Sequence, residues 1–157
     1  MAIMDNDIEI LITEDDEGHF ILTRKYLLEQ GVKNEIRWYA SGGEILEFLF
    51  NSDGTPKDIH AGKYVLLLDI RMPGINGLEV LRRIRAEHCF DSLAIIVLTS
   101  SADPSQIEQA YGLGAESYIV KPVKYSTYIE AMRTIGLFPS AVEDGVMLRP
   151  LKHHNFG

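Results

Sequence analysis

Cysteine is nearly missing from this chain. Cys89 is the single one, so no internal disulfide can form, and a reducing compartment is the natural setting. The sequence around Cys89 supplies no activating partner, and the residue reads as an ordinary thiol at a helix end. Long apolar runs are missing too: none approaches the ~20 residues of a membrane-spanning helix. The first residues, Met1 to Asp7, are polar and acidic and lack a signal-peptide pattern. Positive charge is in deficit, with 15 Lys and Arg against 23 Asp and Glu and a net charge of −8. A nucleic-acid-binding domain usually carries the opposite balance. There is no internal repeat and no low-complexity segment. These absences lead to the expectation of a cytoplasmic protein that contacts neither membrane nor nucleic acid directly.

What is present fits one globular core. The 157 residues suit a single domain, and the apolar fraction is ordinary. Strand and helix signals alternate five times. Ile8 to Thr13 (IEILIT) is a short apolar run that ends in acids. A helix is expected over 18–30, with Phe20, Ile21, Leu27 and Leu28 on one side and Gly31 closing it. Glu35 to Tyr39 is a second, weaker strand of low apolar content. Ser41 caps a helix through Phe50, and a polar, turn-rich loop follows over 51–63.

Tyr64 to Leu68 (YVLLL) is apolar without alternation, as in a central parallel strand covered on both faces. A third helix covers 77–86, with Leu78, Leu81 and Ile84 inward, and LAIIVL over 93–98 is a second fully apolar strand. Asp103 and Pro104 start a fourth helix that runs to about Leu113. Ser117 to Val120 is the fifth strand. Tyr128, Ile129, Met132 and Ile135 mark a fifth helix that stops at Gly136. Alternation of this kind implies βαβ units, a parallel sheet and right-handed crossovers. The expected fold is a doubly wound α/β sheet of five parallel strands in the order 2-1-3-4-5, with five helices. That order sets strands 1 and 3 side by side at the reversal point, where chemistry collects beyond the carboxyl ends of the strands.

Four short motifs fall at those ends: Glu14-Asp15-Asp16, Asp69, Thr99-Ser100 and Lys121-Pro122. An acidic pair alone is more often a solvated turn. Three carboxylates within a few ångströms repel one another, and oxygen donors of this kind suit Mg²⁺. Asp69 ends five apolar residues in LLLDIRMPG, where burial of a carboxylate is costly without a partner. It is a candidate nucleophile able to take a phosphoryl group. Pro73, Gly74 and Gly77 shape a tight loop around it. Arg71 offers a backbone carbonyl to the metal. Thr99 ends an apolar strand, where its hydroxyl faces a phosphoryl oxygen or solvent, although threonine suits strands in any case. Lys121 would neutralise charge on phosphoryl oxygens, against the plainer reading of a surface lysine in a turn. Tyr118 is either a packed side chain or a rotamer switch.

EDD after the first strand, LLLDIRMPGINGLEVL, VLTSSAD and YIVKPV together resemble the receiver domain of bacterial two-component response regulators, over about residues 8 to 136. The resemblance implies a flavodoxin-like doubly wound fold and Mg²⁺-dependent phosphorylation of Asp69 by a histidine-kinase phosphohistidine. By the same pattern Glu14 and Asp15 hold Mg²⁺ with Asp69, and the carbonyl of Arg71 completes the metal site. Thr99 and Lys121 contact the phosphoryl group, and Tyr118 rotates between states. Only slow self-dephosphorylation is implied, and no other enzymatic activity. The signalling surface would be that of the fourth helix, fifth strand and fifth helix.

Residues 1–136 are thus expected to be the receiver domain, and 137–157 a C-terminal extension with no helix-turn-helix pattern and no effector domain. The loop over 51–63 and the apolar tail are similar to the regulators paired with bacterial phytochromes, which makes a bacteriophytochrome kinase the expected partner. Phe138, Val146, Met147, Leu148 and Leu151 in the tail motivate a homodimer through the signalling surface. His153-His154 read as solvated terminal histidines. Three alternatives compete. A pseudo-receiver that never takes phosphate would lack the intact motifs. A hydrolase with an aspartyl intermediate would need a cap domain. A cofactor-binding flavodoxin-like domain would need a phosphate-binding loop after the first strand.

Overall fold

A computed structural model describes residues 7–29, 31–100 and 102–120. Five strands, β1 (Glu9–Thr13), β2 (Ile36–Tyr39), β3 (Tyr64–Asp69), β4 (Ala94–Thr99) and β5 (Ser117–Val120), form one parallel sheet in the order β2-β1-β3-β4-β5. Four helices are described: α1 (Glu17–Glu29), α2 (Gly42–Leu49), α3 (Gly77–Arg85) and α4 (Pro104–Gly112). The expected fifth helix, Lys121 and the tail lie outside the described residues.

The central strands owe their place to composition. Val65 to Leu68 in β3 and Ile95 to Leu98 in β4 are all buried, so each strand is covered on both faces. Alternate residues divide between two cores. Leu11, Leu66, Leu68, Ile95 and Val97 meet Ile45, Leu49, Val80, Leu81, Ile84 and Ala110 from α2, α3 and α4. Ile10, Ile12, Val65, Leu67 and Ile96 meet Leu27 of α1 on the other face. Among the described helices α1 therefore stands alone on its side of the sheet.

The helix caps follow the sequence closely. Ser41 accepts the Glu44 amide at the start of α2, Asn76 accepts that of Glu79 at α3, and Asp103 accepts that of Ser105 at α4. α1 departs from expectation. Leu27 is fully buried and Phe20 packs beside it, but Ile21 is 56% exposed and Leu28 43%. The reason is angular: Phe20 and Leu27 share one stripe seven residues apart, and Ile21 and Leu28 form a second stripe rotated by about 100° toward solvent. Strand ends shift by one residue. β3 includes Asp69, which pairs with Leu98, and β4 includes Thr99, which pairs with Val120. The loop over 51–63 is more ordered than a polar run implies. Phe50 bridges Pro56, Asp53 accepts both the amide and the hydroxyl of Thr55, and Ala61–Lys63 make a 3-10 turn. Cys89 is exposed in a second 3-10 turn, His88–Phe90.

Candidate functional site: an acidic cluster at the strand ends

β1 and β3 are hydrogen-bonded neighbours, with Thr13 opposite Leu68. The residues that follow them, Glu14 and Asp15 after β1 and Asp69 at the end of β3, converge. One carboxylate oxygen from each lies within 4.8 Å of the others. Glu14 and Asp69 are buried, at 4% and 5% exposure, and Asp15 is exposed. The cluster thus has a buried floor and an open mouth.

The two buried acids are held by main chain. The Glu14 amide donates to the Tyr39 carbonyl at 3.0 Å, and the Glu14 carbonyl accepts the Trp38 indole N–H at 2.7 Å. Its carboxylate accepts the Asp16 amide at 3.1 Å, and His19 Nδ1 lies 3.7 Å from the same oxygen. Asp16 then caps α1, accepting the His19 amide on its side chain and the Phe20 amide on its carbonyl. Asp69 accepts the Arg71 amide at 3.2 Å, which turns the chain back beside the carboxylate. The loop is closed by the Gly77 amide, which donates to the Ile70 carbonyl at 2.8 Å. A Cβ at Gly77 would stand 2.3 Å from the Asp69 carbonyl oxygen, so only glycine permits this approach.

The flank is built by β4 and β5. Thr99 is fully buried one residue beyond Leu98, the register partner of Asp69. Ser100 is exposed. Tyr118 is buried on β5 and its hydroxyl meets Gln106 Oε1 at 3.4 Å. The Tyr111 ring lies 6.5 Å from that of Tyr118, and burial pushes the Tyr111 phenol up to about 12. Lys121 follows Val120 in sequence and falls outside the described residues.

Three carboxylates meeting at one point form an oxygen-only donor set of high charge. They fit a hard divalent cation that keeps part of its water shell, as Mg²⁺ does. The sequence reading named all three acids. His19 and Trp38 were not singled out, and Phe20 was expected only on the apolar side of the first helix; these three residues meet the loop from α1 and β2. A tryptophan one residue before the end of the weak edge strand marks the position but not the contact it makes.

Among the described residues no helix is long and apolar enough to cross a membrane. A profile of the response regulator receiver domain matches residues 10–133. The chain is similar in structure to a response regulator receiver domain from Rhodospirillum rubrum. That likeness has a TM-score of 0.69 and 32% identity, and covers 91% of this chain and 98% of the other. It is also similar to the bacteriophytochrome response regulator RtBRR, with TM-score 0.68 and 32% identity over 83% of this chain and 79% of that one. A probable methanogenesis regulatory protein, FilR2 of Methanothrix harundinacea, is 28% identical over 116 residues, 74% of this chain and 73% of its own. The chain spans less than half the length of several longer curated regulators. With the profile covering most of its length, this chain belongs to the response regulator receiver family, a family of signalling domains.

Proposed function

We propose that the chain is a phosphoacceptor switch. Asp69 takes a phosphoryl group from the phosphohistidine of a sensor histidine kinase, with Mg²⁺ held by Glu14, Asp15, Asp69 and the carbonyl of Arg71. One observation carries this reading: the carboxylate ending the central strand meets two acids from the neighbouring strand within 4.8 Å.

A carboxylate oxygen of Asp69 attacks phosphorus, the new P–O bond forms as the P–N bond breaks, and the leaving imidazole takes a proton. Glu14 is locked by β2 on both sides of its main chain, so its carboxylate needs little rearrangement as the site fills. A bound magnesium ion supplies positive charge to the phosphoryl oxygens. Thr99 and Lys121 are assigned to those oxygens as hydroxyl donor and cation. Thr99 drawn toward the phosphoryl group changes the space beside Tyr118, and a two-state surface on α4, β5 and the helix expected after β5 shifts its population.

Finer assignments belong to the same proposal. The cell compartment is the cytoplasm. The kinase is a bacteriophytochrome, a reading supported by likeness to RtBRR at 32% identity. The active form is a homodimer through the switching surface. Water slowly removes the phosphoryl group, and no other turnover is expected. Incubation with a phosphorylated histidine kinase and Mg²⁺ tests the core of the proposal. Label passes to the wild-type chain and is lost in Asp69→Asn. Equal labelling of that variant refutes the assignment, and a pseudo-receiver would take no label in either form.

A further inference from the structure

Trp38 is the only tryptophan of the chain. It sits on edge strand β2 opposite Ile12, two residues before Glu14. Its indole N–H donates to the Glu14 carbonyl at 2.7 Å, shorter than the 3.0 Å bond from the Glu14 amide to the Tyr39 carbonyl. The Phe20 ring, from the first turns of α1, stacks on the indole with centroids 4.9 Å apart and planes 6° from parallel. Phe20 is itself tied to the acidic loop, since its amide donates to the Asp16 carbonyl at 3.0 Å. One aromatic pair therefore fastens the loop carrying Glu14 and Asp15 to β2 on one side and to α1 on the other.

We infer that Trp38 is a positioning residue for divalent-cation binding: its N–H and its stack on Phe20 hold the Glu14 backbone where the carboxylate faces Asp69. Trp38 touches no reacting atom and acts through Glu14. Groups that orient metal ligands tune metal affinity, and their loss weakens binding. The inference rests on the cation site proposed above. Because the indole is bonded to the loop that carries Glu14 and Asp15, its emission is expected to respond when a cation fills the site.

The test is a Mg²⁺ titration of the full chain by calorimetry, with Trp38 emission recorded in parallel for the wild type. Trp38→Phe keeps an aromatic ring against Phe20 and removes the donor. Benzothienylalanine at residue 38 keeps the indole shape and removes only the N–H. Both are expected to bind Mg²⁺ about three- to tenfold more weakly, as loss of one hydrogen bond predicts. Both keep a cooperative thermal transition, and wild-type emission changes in step with the calorimetric curve. Affinity of the isosteric variant equal to wild type overturns the inference, as does silent emission through a saturating titration. Glu14→Gln and Asp69→Asn separate the two layers. If they lose Mg²⁺ binding and the Trp38 variants keep it, only the positioning role fails. If they bind Mg²⁺ like wild type, the cation site itself fails and the positioning role with it.

Discussion

Asp69 ends the buried strand β3 in a carboxylate, and its setting is made by the eight residues that follow. Arg71 returns an amide to the carboxylate, and Gly77 brings the start of α3 against the Asp69 carbonyl. Gly77→Ala would force a methyl group into backbone that has no side chain to rotate away. The variant is expected to lose about 1–3 kcal/mol of stability in urea unfolding. Wild-type stability would contradict the packing described. The acids themselves were legible in the sequence, because five apolar residues running into Asp69 mark a strand exit and because Glu14-Asp15 follows another such run. The hydrogen bond from Trp38 was not legible, since a contact between β2 and the β1–α1 loop leaves no local mark on either segment.

Among the elements, the buried strands β3 and β4 were readable from composition, and the caps of α2 and α4 from Ser41, Asp103 and Pro104. α1 was read less well: its apolar residues form two stripes, and helical spacing alone does not say which faces the sheet. The exposed stripe with Ile21 and Leu28 lies on the face where α1 is the only described helix. α4 carries a titratable group whose pKa is raised, Tyr111, beside Tyr118 of β5. Burial disfavours the Tyr111 phenolate and raises its pKa from 10.0 to about 12. Between those values the unfolded chain releases this proton while the folded chain retains it. The protonated phenol therefore supports folding fully below pH 10 and loses that contribution as pH rises toward 12. Tyr111→Phe is expected to show a shallower decline in stability than wild type across that window in denaturant titrations. Parallel declines would mean that Tyr111 titrates as an exposed phenol.

For the whole molecule, strand order does the decisive work. Placing β1 between β2 and β3 brings an acidic pair from the connection after β1 against the aspartate that ends β3, and neither segment forms the cluster alone. The alternation of elements and the four motifs made this topology inferable. The dimer proposed for the signalling face rests on apolar residues of the segment 137–157, outside the described residues. Sedimentation of the full chain and of a chain ending at residue 136 is expected to give a dimer and a monomer. A monomer in both removes the homodimer from the proposal.

Asp69 is proposed as a phosphoacceptor whose readiness depends on the acids beside it. Intact mass measurement after incubation with acetyl phosphate tests this claim most directly, in Mg²⁺ and again with the ion chelated. The wild-type chain is expected to gain one phosphoryl group in Mg²⁺, mapped to Asp69, and none after chelation. Modification at any other residue, or equal gain without the ion, would contradict the claim.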